Sequence, residues 1–135
     1  MLGEIIAEFS SKITGVRVLP SEEQTPKLEV SFQGSGKLLG ENTTDVGTYW
    51  QTVRPGGMLY GEGQVMLMPT SGDMALWSGF GIGRSLGKGL AGTYRCCGSI
   101  QTTSQKLARL NSVAAVVEYE VDENENYSYK IWEWK

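Results

Sequence analysis

The chain contains no histidine. That absence excludes Ser-His-Asp and Cys-His pairs, imidazole general bases and His-ligated zinc, and with them most hydrolytic machinery. Cysteine is nearly as scarce. The two present, Cys96 and Cys97, are neighbours, so in a strand they point to opposite faces and a bridge between them would be strained; they read as reduced thiols. Positive charge is short as well: 12 Lys and Arg against 15 Asp and Glu leave a net charge of −3, the wrong sign for phosphate-driven nucleic-acid binding or an anionic membrane surface. No apolar run approaches the roughly 18 residues that cross a bilayer as a helix. Glu4 and Glu8 near the start break the basic-then-apolar order of a secretory signal. The expectation is a cytoplasmic protein with neither nucleic acid nor membrane as a partner.

Glycine, by contrast, is abundant, 18 of 135 residues, about twice the usual share of roughly 7%. A chain of this length fits one domain, 1–135, and buries about two-thirds of its unfolded surface, enough to fold without a metal or a disulfide. Along residues 28–39 apolar and polar positions alternate: Leu28, Val30, Phe32, Gly34, Gly36 and Leu38 share one face, Glu29, Ser31, Gln33, Ser35 and Lys37 the other. That is the period of a half-buried strand. Runs rich in Thr, Val, Tyr and Trp recur at 43–54, 58–68, 74–84, 92–102, 114–121 and 127–134, separated by turn residues at 40–42, 55–57, 69–73, 87–89 and 122–126. The first eighteen residues also read as strand. Connections this short demand antiparallel neighbours, because parallel pairs need crossovers of a dozen residues or more.

The one helical stretch is 103–110, with Ser or Thr at its cap, Leu107 and Leu110 three apart and Asn111 as a stop. Eight strands are the number at which an antiparallel sheet curls shut around a filled or ligand-sized interior. Gly34 and Gly36, Gly61 and Gly63, and Gly79, Gly81 and Gly83 are each two apart, which puts each set on one face, where missing side chains permit sharp coiling. The expected fold is all-β: a single eight-stranded antiparallel barrel with one short helical segment.

Motifs for cofactors fail on inspection. Gly34-Ser35-Gly36-Lys37 lacks the earlier glycine and the following Ser or Thr of a phosphate loop. Gly81, Gly83 and Gly87 are spaced one residue too long for a dinucleotide fingerprint, and no helix follows. Asp122, Asn124 and Asn126 come nearest to a calcium loop, but Tyr127 stands where glycine is required. No cofactor and no metal is expected.

The stretch of most chemical interest is 59–68. Tyr60, Glu62, Gln64, Met66 and Met68 share one face, while Leu59, Gly61, Gly63, Val65 and Leu67 share the other. If the first face lines the lumen, Glu62 stands among phenol and thioether groups as an acid or as a polar anchor, and Tyr60, Glu62, Gln64 and Met66 are the ligand-binding residues. If it faces solvent, Glu62 and Gln64 are ordinary surface residues. Trp50, Trp77, Trp132, Trp134 and the six tyrosines suit either a flat apolar ligand or the filling of a sheet.

Several segments together, 44–49, 54–63, 107–111, 117–122 and Trp132-Glu133-Trp134, resemble a family of small uncharacterised bacterial proteins. That family is similar to the allene oxide cyclase-like, calycin-type barrels. The resemblance covers nearly the whole chain and implies the eight-stranded barrel; it transfers no catalytic residue and no reaction. The functional expectation is a barrel that binds a small, largely apolar ligand in its lumen or mouth. The alternatives are a structural barrel acting as a homo-oligomer, and a cyclase or isomerase in which Glu62 and Tyr60 supply acid-base help.

Overall fold

The computed structural model describes residues 1–22 and 25–135. It contains eight strands: β1 (Leu2–Leu19), β2 (Lys27–Leu38), β3 (Glu41–Val53), β4 (Met58–Pro69), β5 (Ala75–Ser85), β6 (Gly92–Thr102), β7 (Ala114–Val121) and β8 (Asn126–Trp134). Each strand pairs antiparallel with the next, and β8 pairs with β1, closing the sheet into a barrel. Closure gives each strand a hydrogen-bonded neighbour on both sides. The β2–β3 hairpin turns on two residues, Leu39 at φ 49° and Gly40 at φ 83°, the left-handed pair whose twist matches that of the flanking strands. In the β7–β8 turn the Asp122 carboxylate accepts from the Asn124 and Asn126 amides at 2.8 and 2.9 Å. The Asn126 side-chain amide, donating to Asp122 Oδ2 at 3.0 Å, and then these backbone bonds hold its pKa below the ordinary carboxylate range.

The helical expectation is displaced and tightened. The β6–β7 connection contains a 3-10 turn at Ala108–Ser112, with the Leu110 amide bonded to the Leu107 carbonyl at 2.9 Å. Asn111 does more than stop it: its side chain accepts from the Thr102 amide at 2.8 Å and donates to the Thr102 carbonyl at 3.1 Å, tying the loop to the end of β6. Leu107, Leu110 and Val113 are thereby buried over one mouth of the barrel. At the same end Glu41 receives Lys106 at 2.5 Å and the Ser71 hydroxyl at 2.9 Å, linking three connections. A second 3-10 turn occupies Pro55–Gly57.

Inward-facing residues alternate along every strand, as barrel geometry requires. Val30, Phe32 and Leu38 on β2, Leu67 on β4, Ile100 on β6 and Ile131 on β8 form the core with a set of aromatic rings. The strand β1 carries register shifts, one against β2 between Ile13 and Gly15 and others against β8, the irregularities by which a long strand coils around a small barrel.

Candidate functional site

The paired glycines decide the shape of the interior. Gly61 lies opposite Gly81, and Gly63 opposite Gly79, all inward-facing, so the β4–β5 wall presents bare backbone to the lumen. The space is taken by Tyr49 of β3 and by the Trp77 ring of β5 itself. A Cβ at Gly63 would sit 2.6 Å from Tyr49 Cβ, and one at Gly79 would sit 2.6 Å from the Trp77 ring. Facing that wall is a contiguous aromatic cluster. Phe32 packs on Tyr127 at 4.7 Å and on Tyr119 at 5.7 Å between centroids, Tyr49 meets Tyr119 edge-on at 5.5 Å, and Tyr94 lies 6.0 Å from both Tyr49 and Tyr119. These separations are those of favourable tilted and edge-to-face ring pairs.

Between rings and wall lies a cavity of about 60 Å³ lined by Tyr49, Val65, Trp77, Cys96, Val117 and Tyr119 among others, almost wholly apolar. Its buried phenols and thiol are driven toward their neutral forms. Burial pushes the Tyr49 hydroxyl up to about 12, and burial together with the neighbouring Cys97 pushes the Cys96 thiol up to about 12. Burial raises Tyr94 and Tyr119 as well. Tyr94 donates a hydrogen bond to Gln51 Oε1.

Deeper in the lumen stands a carboxyl group. Asp45 on β3 is fully buried, and its Oδ2 accepts hydrogen bonds from Tyr127 at 2.9 Å and Tyr129 at 2.8 Å. Gly34 makes this reach possible: a Cβ there would stand 2.7 Å from the Tyr127 hydroxyl. Removal from water raises the Asp45 pKa, and the two phenols oppose the shift without cancelling it. Oδ1, equally buried, has no well-formed hydrogen bond among the described residues.

The β4 residues of most chemical interest lie on the other side of the strand. Leu59, Gly61, Gly63, Val65 and Leu67 face the core, so Tyr60, Glu62, Gln64 and Met66 stand on the outer surface. Glu62 and Gln64 nevertheless border the cavity between the glycine positions, whereas Tyr60 and Met66 do not. Tyr60, Glu62 and Gln64 do come together, with Ser78 and Phe80, around an outer groove; Met66 lies further along, opposite Leu76. The readings missed Asp45 and the tyrosines around it. The usable signal was parity: Asp45, Gly47 and Tyr49 alternate on β3, the same glycine-aromatic alternation that marks the inward face of β5.

No protein-family model matches the chain, and no curated protein matches its sequence. Solved structures do. A protein of unknown function from Clostridium acetobutylicum superposes with a TM-score of 0.82 at 15% identity, covering 98% of each chain. A β-barrel-like protein from Acinetobacter baumannii gives 0.81 at 18% identity, covering 100% of this chain and 96% of the other. An enzyme from Penicillium herquei gives 0.63 at 15% identity, covering 96% and 94%. What the likeness shows is the fold.

Proposed function

We propose that the protein is a binding barrel for a small apolar molecule held in the lumen against the β4–β5 glycine wall. The observation that carries this reading is the apolar cavity of about 60 Å³ between that wall and the ring cluster. Sites for drug-sized molecules run to roughly 300–1,000 Å³, so the ligand is one of only a few heavy atoms. Holding is favoured over chemistry, because the thiol and phenols around the cavity are shifted away from ionising near neutral pH. The reading includes kinship with allene oxide cyclase-like, calycin-type barrels, supported by strand number and closure. It also includes a cytoplasmic setting, supported by two free thiols and a net charge of −3. Dry apolar cavities bind xenon, which makes xenon the probe: under xenon pressure the methyl resonances of Val65 and Val117 are expected to shift saturably. No saturable shift, together with a native mass of the bare chain alone, would overturn the reading.

A second reading, homo-oligomerisation, is favoured by the β1–β8 seam. Leu2, Ile5 and Trp134 there are each about half exposed, at 48%, 49% and 55%, on directly paired strands where Leu2 faces Trp134 and Ile5 faces Trp132. Clustered exposed apolar side chains mark association surfaces. Sedimentation is expected to give a species larger than 14.8 kDa that Ile5→Glu with Trp134→Glu dissociates; a single 14.8 kDa species at all micromolar concentrations sinks this reading.

A further inference from the structure

On the wall of the lumen cavity one buried donor is left unanswered. Trp77 on β5 is 7% exposed and borders the cavity, and its Nε1 has no hydrogen-bond acceptor among the described residues. The side of the indole that carries Nε1 also carries Cζ2, and Cζ2 lies 2.6 Å from where a Gly79 Cβ would stand. That edge of the ring therefore runs along the bare backbone of the glycine wall. An indole N–H donates and cannot accept, and a buried tryptophan ordinarily finds a partner for it, because an unpaired donor bears the full cost of its lost hydration. Tyr119, also on the cavity wall, has a buried hydroxyl without a well-formed bond, but the Tyr49 hydroxyl is its polar neighbour. A hydroxyl rotates toward such a neighbour; the indole proton is fixed in the plane of its ring.

The rest of the lining says what kind of acceptor belongs there. Among the described residues no Lys or Arg borders the cavity, and Glu62 does, so an anionic acceptor would be desolvated without a counter-charge. A water needs roughly two to four polar partners, and this lining is almost wholly apolar. A pure hydrocarbon leaves the indole N–H as it stands. A carbonyl oxygen with no proton of its own answers the indole and asks for nothing in return. We propose that the lumen ligand is a small ketone, its carbonyl oxygen accepting from Trp77 Nε1 and its alkyl groups packed against the apolar lining. Val65, directly opposite Trp77 in the cross-strand register, and Val117, opposite Cys96, supply that lining beside the bare glycines. The inference rests on the lumen reading above and adds to it the one polar contact that fixes the ligand's orientation.

Acetone and isobutene share a shape and differ only in oxygen against methylene, so the pair separates the acceptor from the hydrocarbon. The Trp77 indole N–H resonance, assigned through its Val65 and Gly79 neighbours, is followed together with the Val65 and Val117 methyls. Acetone is added up to roughly 100 mM, where weak sites saturate, and isobutene under pressure. Both are expected to shift the methyls saturably, and acetone alone is expected to move the indole proton downfield, as a new hydrogen bond does. Trp77→Phe is expected to weaken acetone about three- to tenfold relative to isobutene; should that variant not fold, the indole shift in the native chain decides. Acetone that moves the methyls but not the indole proton, equal weakening of both compounds by Trp77→Phe, or entry of isobutene and xenon without acetone would each overturn the proposal and leave the lumen reading standing. Exclusion of all three would overturn the lumen reading and this inference with it.

Discussion

Asp45 is a carboxyl group removed from water and met by two phenols, and the outcome is a contest between desolvation, which disfavours its charge, and hydrogen bonds, which favour it. Desolvation leads, and the pKa is raised. A carboxylate whose folded pKa lies above its unfolded one costs stability as pH rises through the unfolded value, roughly 3.9 for Asp, and the cost is complete above the folded pKa. Asp45→Asn keeps the size and an accepting oxygen but cannot ionise. The difference in melting temperature between the two proteins is therefore expected to move in favour of Asp45→Asn between pH 4 and pH 7, whatever its constant offset. Movement in the opposite direction would show that the phenols outweigh burial. Tyr127→Phe, which removes one donor to a buried acceptor, is expected to cost about 1–3 kcal/mol in urea denaturation; a change of a few tenths would mean that Tyr129 carries the carboxyl alone.

At the scale of the strand, glycine has two different meanings in this chain, and the surroundings tell them apart. Gly63 on β4 is hemmed by backbone: an added Cβ would meet the Thr48 carbonyl oxygen at 2.7 Å and Tyr49 Cα at 3.0 Å, atoms that move only if β3 moves. Gly15, at the register shift of β1, has nothing within 4 Å and no left-handed φ. Gly63→Ala is expected to destabilise by about 1–3 kcal/mol, the range of overpacking, whereas Gly15→Ala is expected to be neutral or to stabilise by up to about 1 kcal/mol through the unfolded chain. Equal effects at the two sites would remove the geometric role of the glycine wall. Gly81→Val belongs with the first group, since its Cβ would stand 2.5 Å from Cys96 Sγ and 3.1 Å from the Arg95 carbonyl oxygen.

For the molecule as a whole, closure comes from the two ends of the chain. Met1 donates from its amino group to the Lys135 carbonyl at 2.9 Å, and β1 pairs with β8 from Leu2 opposite Trp134 to Lys12 opposite Asn126. A seam joining residues more than a hundred positions apart is expensive in loop entropy and late to form, and folds dominated by such contacts refold in milliseconds to seconds. Stopped-flow tryptophan fluorescence is expected to show refolding in that range, and microsecond refolding would contradict the closed topology.

The strands themselves were legible because their information is local. Alternation along 28–39, turn residues between runs and glycines two apart specify period, connection length and coiling without reference to any distant residue. The sequence by itself determined an eight-stranded antiparallel barrel, and β6 and β7 begin and end at the residues the pattern marks. Tertiary structure alone decided which face of a strand turned inward where both faces offered residues suited to the lumen. On β4 the small and aliphatic set Leu59, Gly61, Gly63, Val65 and Leu67 went in and Tyr60, Glu62 and Gln64 went out, because the lumen was already filled by Tyr49, Trp77, Tyr94 and Tyr119 from other strands. The same holds for Asp45: its partners lie 82 and 84 residues away, and no local pattern carries the knowledge that a glycine on β2 would open the path between them.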